Sequence, residues 1–316
     1  MQSLSKSLLA GAALVFASAP AFAVTDITLG TSSTGGSWYP ATQAMAKIIQ
    51  EEMPDVRVTV MPGGSISNVK GVSGGQYDFA LAHTQDIADG VAGRDAFKQP
   101  IGNLRGLMNL WANYVQIAVR ADTDIKTVAD LKGHALAPGQ RGWGSEAAIR
   151  LVLKQYGLSY QDLGKVEFTG WQGIVDLFKD HHVDVAVACS TAPVSGFQDM
   201  SLAGSGIRIL PLSDEAIAKA SGDNAGYFKN VMPAGIYKGQ DQPIPTLGST
   251  TILVARDDMP KDLAYGIVKH LIARRAELVS ALKAFEELTP EFAPKIPAVD
   301  LHPGAEAYYK EAGVLK

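Results

Sequence analysis

The chain has 316 residues, a formal net charge of −4 and 47% hydrophobic residues. No basic patch accompanies that mildly acidic balance, so a nucleic-acid-binding surface is excluded as a reading. Cys189 is the single cysteine, which rules out an internal disulfide and a Cys-rich metal site.

The first segment, Met1 to Ala23, carries a lone Lys6, the apolar run LLAGAALVFASA and the small-residue site Ala21-Phe22-Ala23. That order predicts a signal peptide over 1–23, cleaved after Ala23, and hence a periplasmic protein. The run is shorter than the roughly 20 apolar residues of a membrane span. No cysteine stands at the cleavage site to take a lipid. Without Lys6 the mature chain holds 27 basic residues against 32 acidic ones. Its length suits about two domains.

From Val24 onward strand and helix signals alternate. DITLG predicts a strand, and Ala41, Ala44, Met45, Ile48 and Ile49 repeat at helical spacing behind it. DVRVTV alternates strictly, placing Val56, Val58 and Val60 on one face of a strand. A short helix is expected after MPGGS, then strands at YDFALA and YVQIAVR. IKTVADLKGHALA reads as turn, short helix and strand. SEAAIRLVLKQYG is a helix by its Ala148, Val152 and Tyr156 spacing, ending on Gly157. VEFTG, WQGIVDLFKD and VDVAVA follow as strand, helix and strand. The Pro/Gly-rich stretch from Met232 leads to the strand TTILVA, helices over about 260–288 and a short helix after Pro303. The whole is an α/β pattern with mainly parallel strands.

Three loops share one design, a Gly-rich approach to a helix start: Thr34-Gly35-Gly36-Ser37, Gly63-Gly64-Ser65 and Gly142-Trp143-Gly144-Ser145. A helix start offers unpaired N–H groups and the positive end of the macrodipole, which favours anions. An ordinary serine-capped helix accounts for any one of them. Three in one chain, each behind a predicted strand, fit a ligand site at the carboxyl ends of an open sheet. None matches the phosphate loop GxxxxGK[ST] or the dinucleotide order GxGxxG, so a carboxylate is the expected anion. Trp38, Tyr39 and Trp143 flank these loops as pocket walls or interface packing. Arg141 either forks onto a carboxylate or is a solvated charge.

Enzymatic readings find less. There is no Gly-x-Ser-x-Gly elbow and no HExxH spacing. ACSTAP around Cys189 has no reactive-thiol signature, and the residue reads as a small buried one. His83 and Asp86 stand where they could line a pocket, without a visible third partner.

On GTSSTGGSWYP, GGSISNVKGVSGGQYDFALA, DLKG, MPAGIYKGQDQPIPT, TTILVARDDMP and LHPGAEAYYKEAG, the mature chain resembles the TAXI-type solute-binding proteins of TRAP transporters. These are relatives of type II periplasmic binding proteins. The resemblance implies a two-lobed clamshell, each lobe a mixed, mainly parallel sheet flanked by helices. Lobe 1 would comprise 24–120 and, with the C-terminal helices, 234–316; lobe 2 would be 121–233. It also implies a receptor that hands a small organic acid or amino acid to TRAP permease subunits. Separately, a monomer with no enzymatic activity, cofactor or metal is expected. The ligand-binding set expected on that scaffold is Ser37, Tyr39, Ser65, Asn68 and Gln85 from one lobe. Arg141, Trp143, Ser145 and Thr191 would come from the other. Three stretches depart from the family's usual pattern: Thr84-Gln85-Asp86, GQRGWGSE, and Cys189 to Pro193. All lie on loops expected to face the ligand. An enzyme on the same scaffold and a periplasmic sensor are the competing readings.

Overall fold

A computed structural model describes residues 24–34 and 36–316; the expected signal peptide and Gly35 lie outside the described residues. The chain opens with β1 (Thr25–Gly30), α1 (Trp38–Glu52), β2 (Val56–Met61), α2 (Ser65–Ser73), β3 (Phe79–His83) and α3 (Thr84–Ala92). The periodicities hold. In α1, Ala41, Met45, Ile48 and Ile49 are buried. In β2, Val56 and Val58 face in while Arg57 and Thr59 face out.

The long strand β4 (Leu104–Arg120) then carries the chain into a second set of elements. These are β5 (Ala135–Ala137), α4 (Gly144–Gln155), β6 (Lys165–Val166), α5 (Trp171–Lys179) and β7 (Val185–Ser190). After them come α6 (Ser195–Leu202), β8 (Ile207–Ile209), α7 (Asp214–Asp223) and β9 (Phe228–Met232). A second long strand, β10 (Ile244–Arg256), returns to the first set, which α8 (Lys261–Ala273), α9 (Arg275–Ala281) and α10 (Pro303–Glu311) complete.

The strands order as β2-β1-β3-β10-β4-β7-β5-β6, with β9 added to β10 and β8 to β4. Pairing is parallel at the two outer ends, among β2, β1 and β3 and among β7, β5 and β6. It is antiparallel wherever β4 or β10 takes part. Both long strands change neighbours midway. β4 pairs with β10 over Leu104–Tyr114 and with β7 from Tyr114 to Val119. β10 pairs with β9 up to Gly248 and with β3 from Thr251 to Ala255.

Cores form on each side of that changeover. Around β1–β3, one layer joins Leu29, Met45, Phe79, Trp111 and Leu253 to Tyr309 of α10, while Val69, Ile87 and Val254 fill the other face. Trp111 and Phe285 meet edge to face at 4.8 Å, a contact worth about 1 kcal/mol beyond its area. Around β5–β7, Val152, Leu153, Val187 and Ile217 form one layer and Ile174, Phe178, Ala186 and Phe197 the other. The sheet is therefore a mixed α/β architecture of two helix-flanked halves, joined by β4 and β10.

VEFTG differs from its expectation. Only Lys165–Val166 pairs with β5. Phe168 leaves the sheet to pack edge-on against Tyr160 at 5.8 Å and to receive the Arg141 guanidinium, 3.9 Å from its ring centre. Side-chain packing there replaces the ladder.

Candidate functional site

The Gly-rich loops do deliver helix starts to one place. A small cleft, enclosing about 430 Å³ of empty space that includes open solvent at its mouth, lies between the two halves; it is lined by Ser32, Gly36, Ser37 and Trp38 before and within α1, and by Gly64 and Ser65 at α2. His83 closes β3 beside them. Facing residues are Trp143, Gly144 and Ser145 at α4, Trp171 at α5, and Cys189 and Ser190 at the end of β7.

The first backbone bonds of these helices show which amides are left over. Asn68 N–H donates to Gly64 O at 2.8 Å, Ala147 N–H to Trp143 O at 3.2 Å and Ile174 N–H to Gly170 O at 3.0 Å. The amides just before each of these begin a helix without an intrahelical partner, at the positive end of its dipole. Four helix starts, of α1, α2, α4 and α5, thus meet at a cavity whose lining holds no Asp, Glu, Lys or Arg.

None of the three loop serines caps its helix with its side chain. Ser65 Oγ instead accepts the His83 backbone N–H at 2.8 Å. Ser145 Oγ donates to Pro138 O at 2.8 Å. Ser37 Oγ lies 3.2 Å from Ser190 Oγ across the cavity. The Ser190–Thr191 turn is itself held by Gln116 of β4, whose Nε2 donates to both carbonyls, at 3.3 and 3.1 Å.

Glycines let the two sides approach. A Cβ on Gly64 would stand 2.7 Å from Trp143 Cδ1, and one on Gly36 3.2 Å from Trp171 Nε1. A Cβ on Gly144 would stand 2.6 Å from His83 Cδ2 and 2.9 Å from Asp86 Oδ2. Trp143 and Trp171, their rings 5.6 Å apart, form an aromatic wall on one side, and Trp38 another at 4.7 Å from the His83 ring.

Ser37, Ser65, Trp143 and Ser145 of the expected set line the cavity; Tyr39, Asn68, Gln85, Arg141 and Thr191 do not. Asn68 is a buried strut, its Nδ2 donating to Thr31 O at 3.0 Å and Leu81 O at 2.8 Å. Gln85 sits behind the floor, its Nε2 donating to Cys189 Sγ at 3.5 Å. Tyr39 is half-buried beyond the wall. Arg141 is exposed and stacked on Phe168, away from the cavity. Thr191 is buried beside Ser190, in the turn that Gln116 holds. Trp171 and Ser190 were not among the expected contacts. Gly170-Trp171 repeats the Gly-Trp pair of the α4 loop, a sequence signal that could have found it. Ser190 follows only from the pairing of β7 with β4.

Burial favours the neutral forms of the titratable groups in the lining, His83 and Cys189, and of Asp86 behind it. Burial lowers the His83 imidazole to about 3. Burial raises the Asp86 carboxyl to about 7, with the Ser65 hydroxyl opposing. Burial pushes the Cys189 thiol up to about 12, which makes it a poor nucleophile at neutral pH. His83 Nδ1 faces Asn113 rather than a hydroxyl or thiol, so no nucleophile–base pair is assembled among the described residues. No cluster of three metal-ligating side chains occurs among them either. The arrangement is suited to holding a small anion.

The sequence pattern of the NMT1-like family matches residues 29–313. Among solved structures, the periplasmic binding protein BugD superposes with a TM-score of 0.55 at 15% identity, over 91% of this chain and 93% of its own. XAC2383 from Xanthomonas citri, bound to chloride ion, gives 0.52 at 16% identity, over 92% and 97%. A structure from a study of glutathione import via GshT and the cystine ABC importer TcyBC of Streptococcus mutans gives 0.52 at 14% identity, over 83% and 95%. At such identities the likeness establishes a periplasmic-binding-protein fold.

Proposed function

Since the chain belongs to the NMT1-like family, we propose that it is a periplasmic solute receptor that closes on a small carboxylate-bearing molecule between the two halves of its sheet. The observation that carries this reading is the meeting of four helix starts at a cavity lined by no charged side chain. Backbone amides there supply positive potential without a counter-ion to displace. An amino acid is less favoured than a simple organic acid, because no lining carboxylate is available to an ammonium group.

The division into lobes at 24–120, 121–233 and 234–316 belongs to this proposal. It is supported by the changes of strand partner at Tyr114 and Gly248. Ser37, Ser65, Trp143 and Ser145 are proposed as contacts, with Ser190 and Trp171 added to them. Asn68 and Gln85 would act from behind as struts. Contacts from both sides would favour the closed form, since a ligand shifts an equilibrium only by its differential affinity for the two states. The TAXI resemblance supports delivery to TRAP permease subunits, and the signal-peptide pattern supports export to the periplasm.

Native mass spectrometry of gently purified protein tests the reading, followed by calorimetric titration with a panel of organic acids and amino acids. A released acid, or saturable binding of one in the panel, is expected. Retention of a cationic or neutral solute, with no acid bound, would overturn it.

A further inference from the structure

His83 ends β3, is 5% exposed and lines the cavity. Its Nδ1 lies 3.2 Å from Asn113 Nδ2. The orientation of that buried amide is fixed from its other end, because Trp111 Nε1 donates to Asn113 Oδ1 at 3.2 Å. An indole nitrogen can only donate, so the amide oxygen must face Trp111 and the amide nitrogen must face His83. Asn113 Nδ2 also donates to Thr251 Oγ1 at 2.9 Å, which uses its second hydrogen.

The consequence passes to the imidazole. An amide NH₂ has hydrogens to give and no acceptor, so His83 Nδ1 must hold a lone pair. The one ring proton of a neutral imidazole then sits on Nε2. An imidazolium would set N–H against N–H at Nδ1, so this arrangement disfavours protonation independently of burial. Nε2 has no hydrogen-bond partner among the described residues, although Trp38 flanks the ring and Gly144 faces its Cδ2 side.

We propose that His83 is a specificity-determining residue: a neutral Nε2–H donor, set by the Trp111–Asn113 relay, that reads an acceptor oxygen on the solute in addition to its carboxylate. The proposal rests on the carboxylate reading above. The free amides of the helix starts already provide donors for the charged group. The His83 proton is left for a further carbonyl or hydroxyl oxygen, such as that of a 2-oxo or 2-hydroxy acid. A buried donor with no partner in the complex costs affinity, so an acid lacking that oxygen is discriminated against.

Two measurements test this. Long-range ¹H–¹⁵N correlation spectra of the histidine rings in the wild type at neutral pH should show His83 protonated on Nε2 alone, with the Asn113→Asp variant shifting the proton to Nδ1. Calorimetric titration should show pyruvate and lactate bound about tenfold or more tighter than propionate, one lost hydrogen bond being of that order. That preference should vanish in His83→Phe and survive in part in His83→Gln, whose amide can still donate. A ring found protonated on Nδ1 or on both nitrogens overturns the proposal, and so does equal binding of propionate and pyruvate by the wild type. If none of the three acids binds, that result counts against the carboxylate reading, and the ring spectra still decide whether His83 is a donor.

Discussion

The hydroxyls of Ser37 and Ser190 lie 3.2 Å apart although 153 positions separate them in the chain. Ser37 stands at the start of α1 and Ser190 at the end of β7, so one hydrogen bond joins the two halves of the sheet at the cavity. It exists only while the halves are together. A double-mutant cycle with Ser37→Ala and Ser190→Ala is expected to show coupling of about 0.5–1.5 kcal/mol in solute affinity, the usual net worth of such a bond. Additive losses would mean that each hydroxyl acts alone.

Gly64 gives a cleaner handle on closure. Its φ of −175° is extended backbone that alanine adopts freely. The added methyl would stand 2.7 Å from Trp143 Cδ1 and 3.3 Å from Gly142 O, both on the opposite half. Gly64→Ala is therefore expected to leave thermal stability nearly unchanged and to weaken solute binding by about tenfold or more, through a population shift toward the open form. Small-angle scattering with solute present should report a larger radius of gyration than the wild type. An unchanged affinity would show that these loops need not meet for binding.

The loops were legible in the sequence because glycine, serine and an aromatic at a helix start are local signals. Arg141, which the sequence leaves as either a fork for a carboxylate or a solvated charge, stacks on Phe168, 27 positions further on. Asn68 and Gln85 have the chemistry of ligand contacts, and tertiary packing turns them inward as struts. The first half of β4 carries no strand signal in the sequence. Leu107 to Trp111 is buried continuously, so no period of two marks it. β8 and β9 carry none either, being short and dependent on β4 and β10 for their pairing. The conversion of His83 into a one-sided donor depends on Trp111, Asn113 and Thr251 arriving from two other strand positions, which no spacing rule contains.

Away from the cavity lining, Arg150 of α4 forks onto Asp95, which follows α3, with distances of 2.6 and 2.8 Å. The pair spans the two halves, and Glu146 shares the guanidinium at 2.9 Å. Both partners are about one-third exposed, so the contribution is expected near the upper end of the surface range, about 1 kcal/mol. Arg150→Gln should weaken solute binding by no more than about fivefold, and the wild-type advantage should shrink as salt is raised. Titrations at low and high salt check this. A loss that persists undiminished at high salt would point to a packing role for the side chain.

His83 and Asp86 are expected to drive stability in opposite directions with pH. The folded state holds His83 neutral down to about 3, while an unfolded histidine takes up its proton near 6.5. Between those values the unfolded chain binds the extra proton, so this residue makes the protein less stable as pH falls. Asp86 keeps its proton up to about 7 in the folded state, against about 3.9 when unfolded. In that window the folded chain binds the extra proton, so Asp86 makes the protein more stable as pH falls. Each slope is about 1.4 kcal/mol per pH unit, and between about pH 4.5 and pH 6.5 they oppose one another. Removing one group should expose the other. Urea unfolding of His83→Gln is expected to show stability falling by about 2 kcal/mol from pH 4.5 to pH 6.5 relative to wild type, and Asp86→Asn to show it rising by a similar amount. Slopes of the same sign in the two variants would mean that one of these groups is solvated in the folded protein.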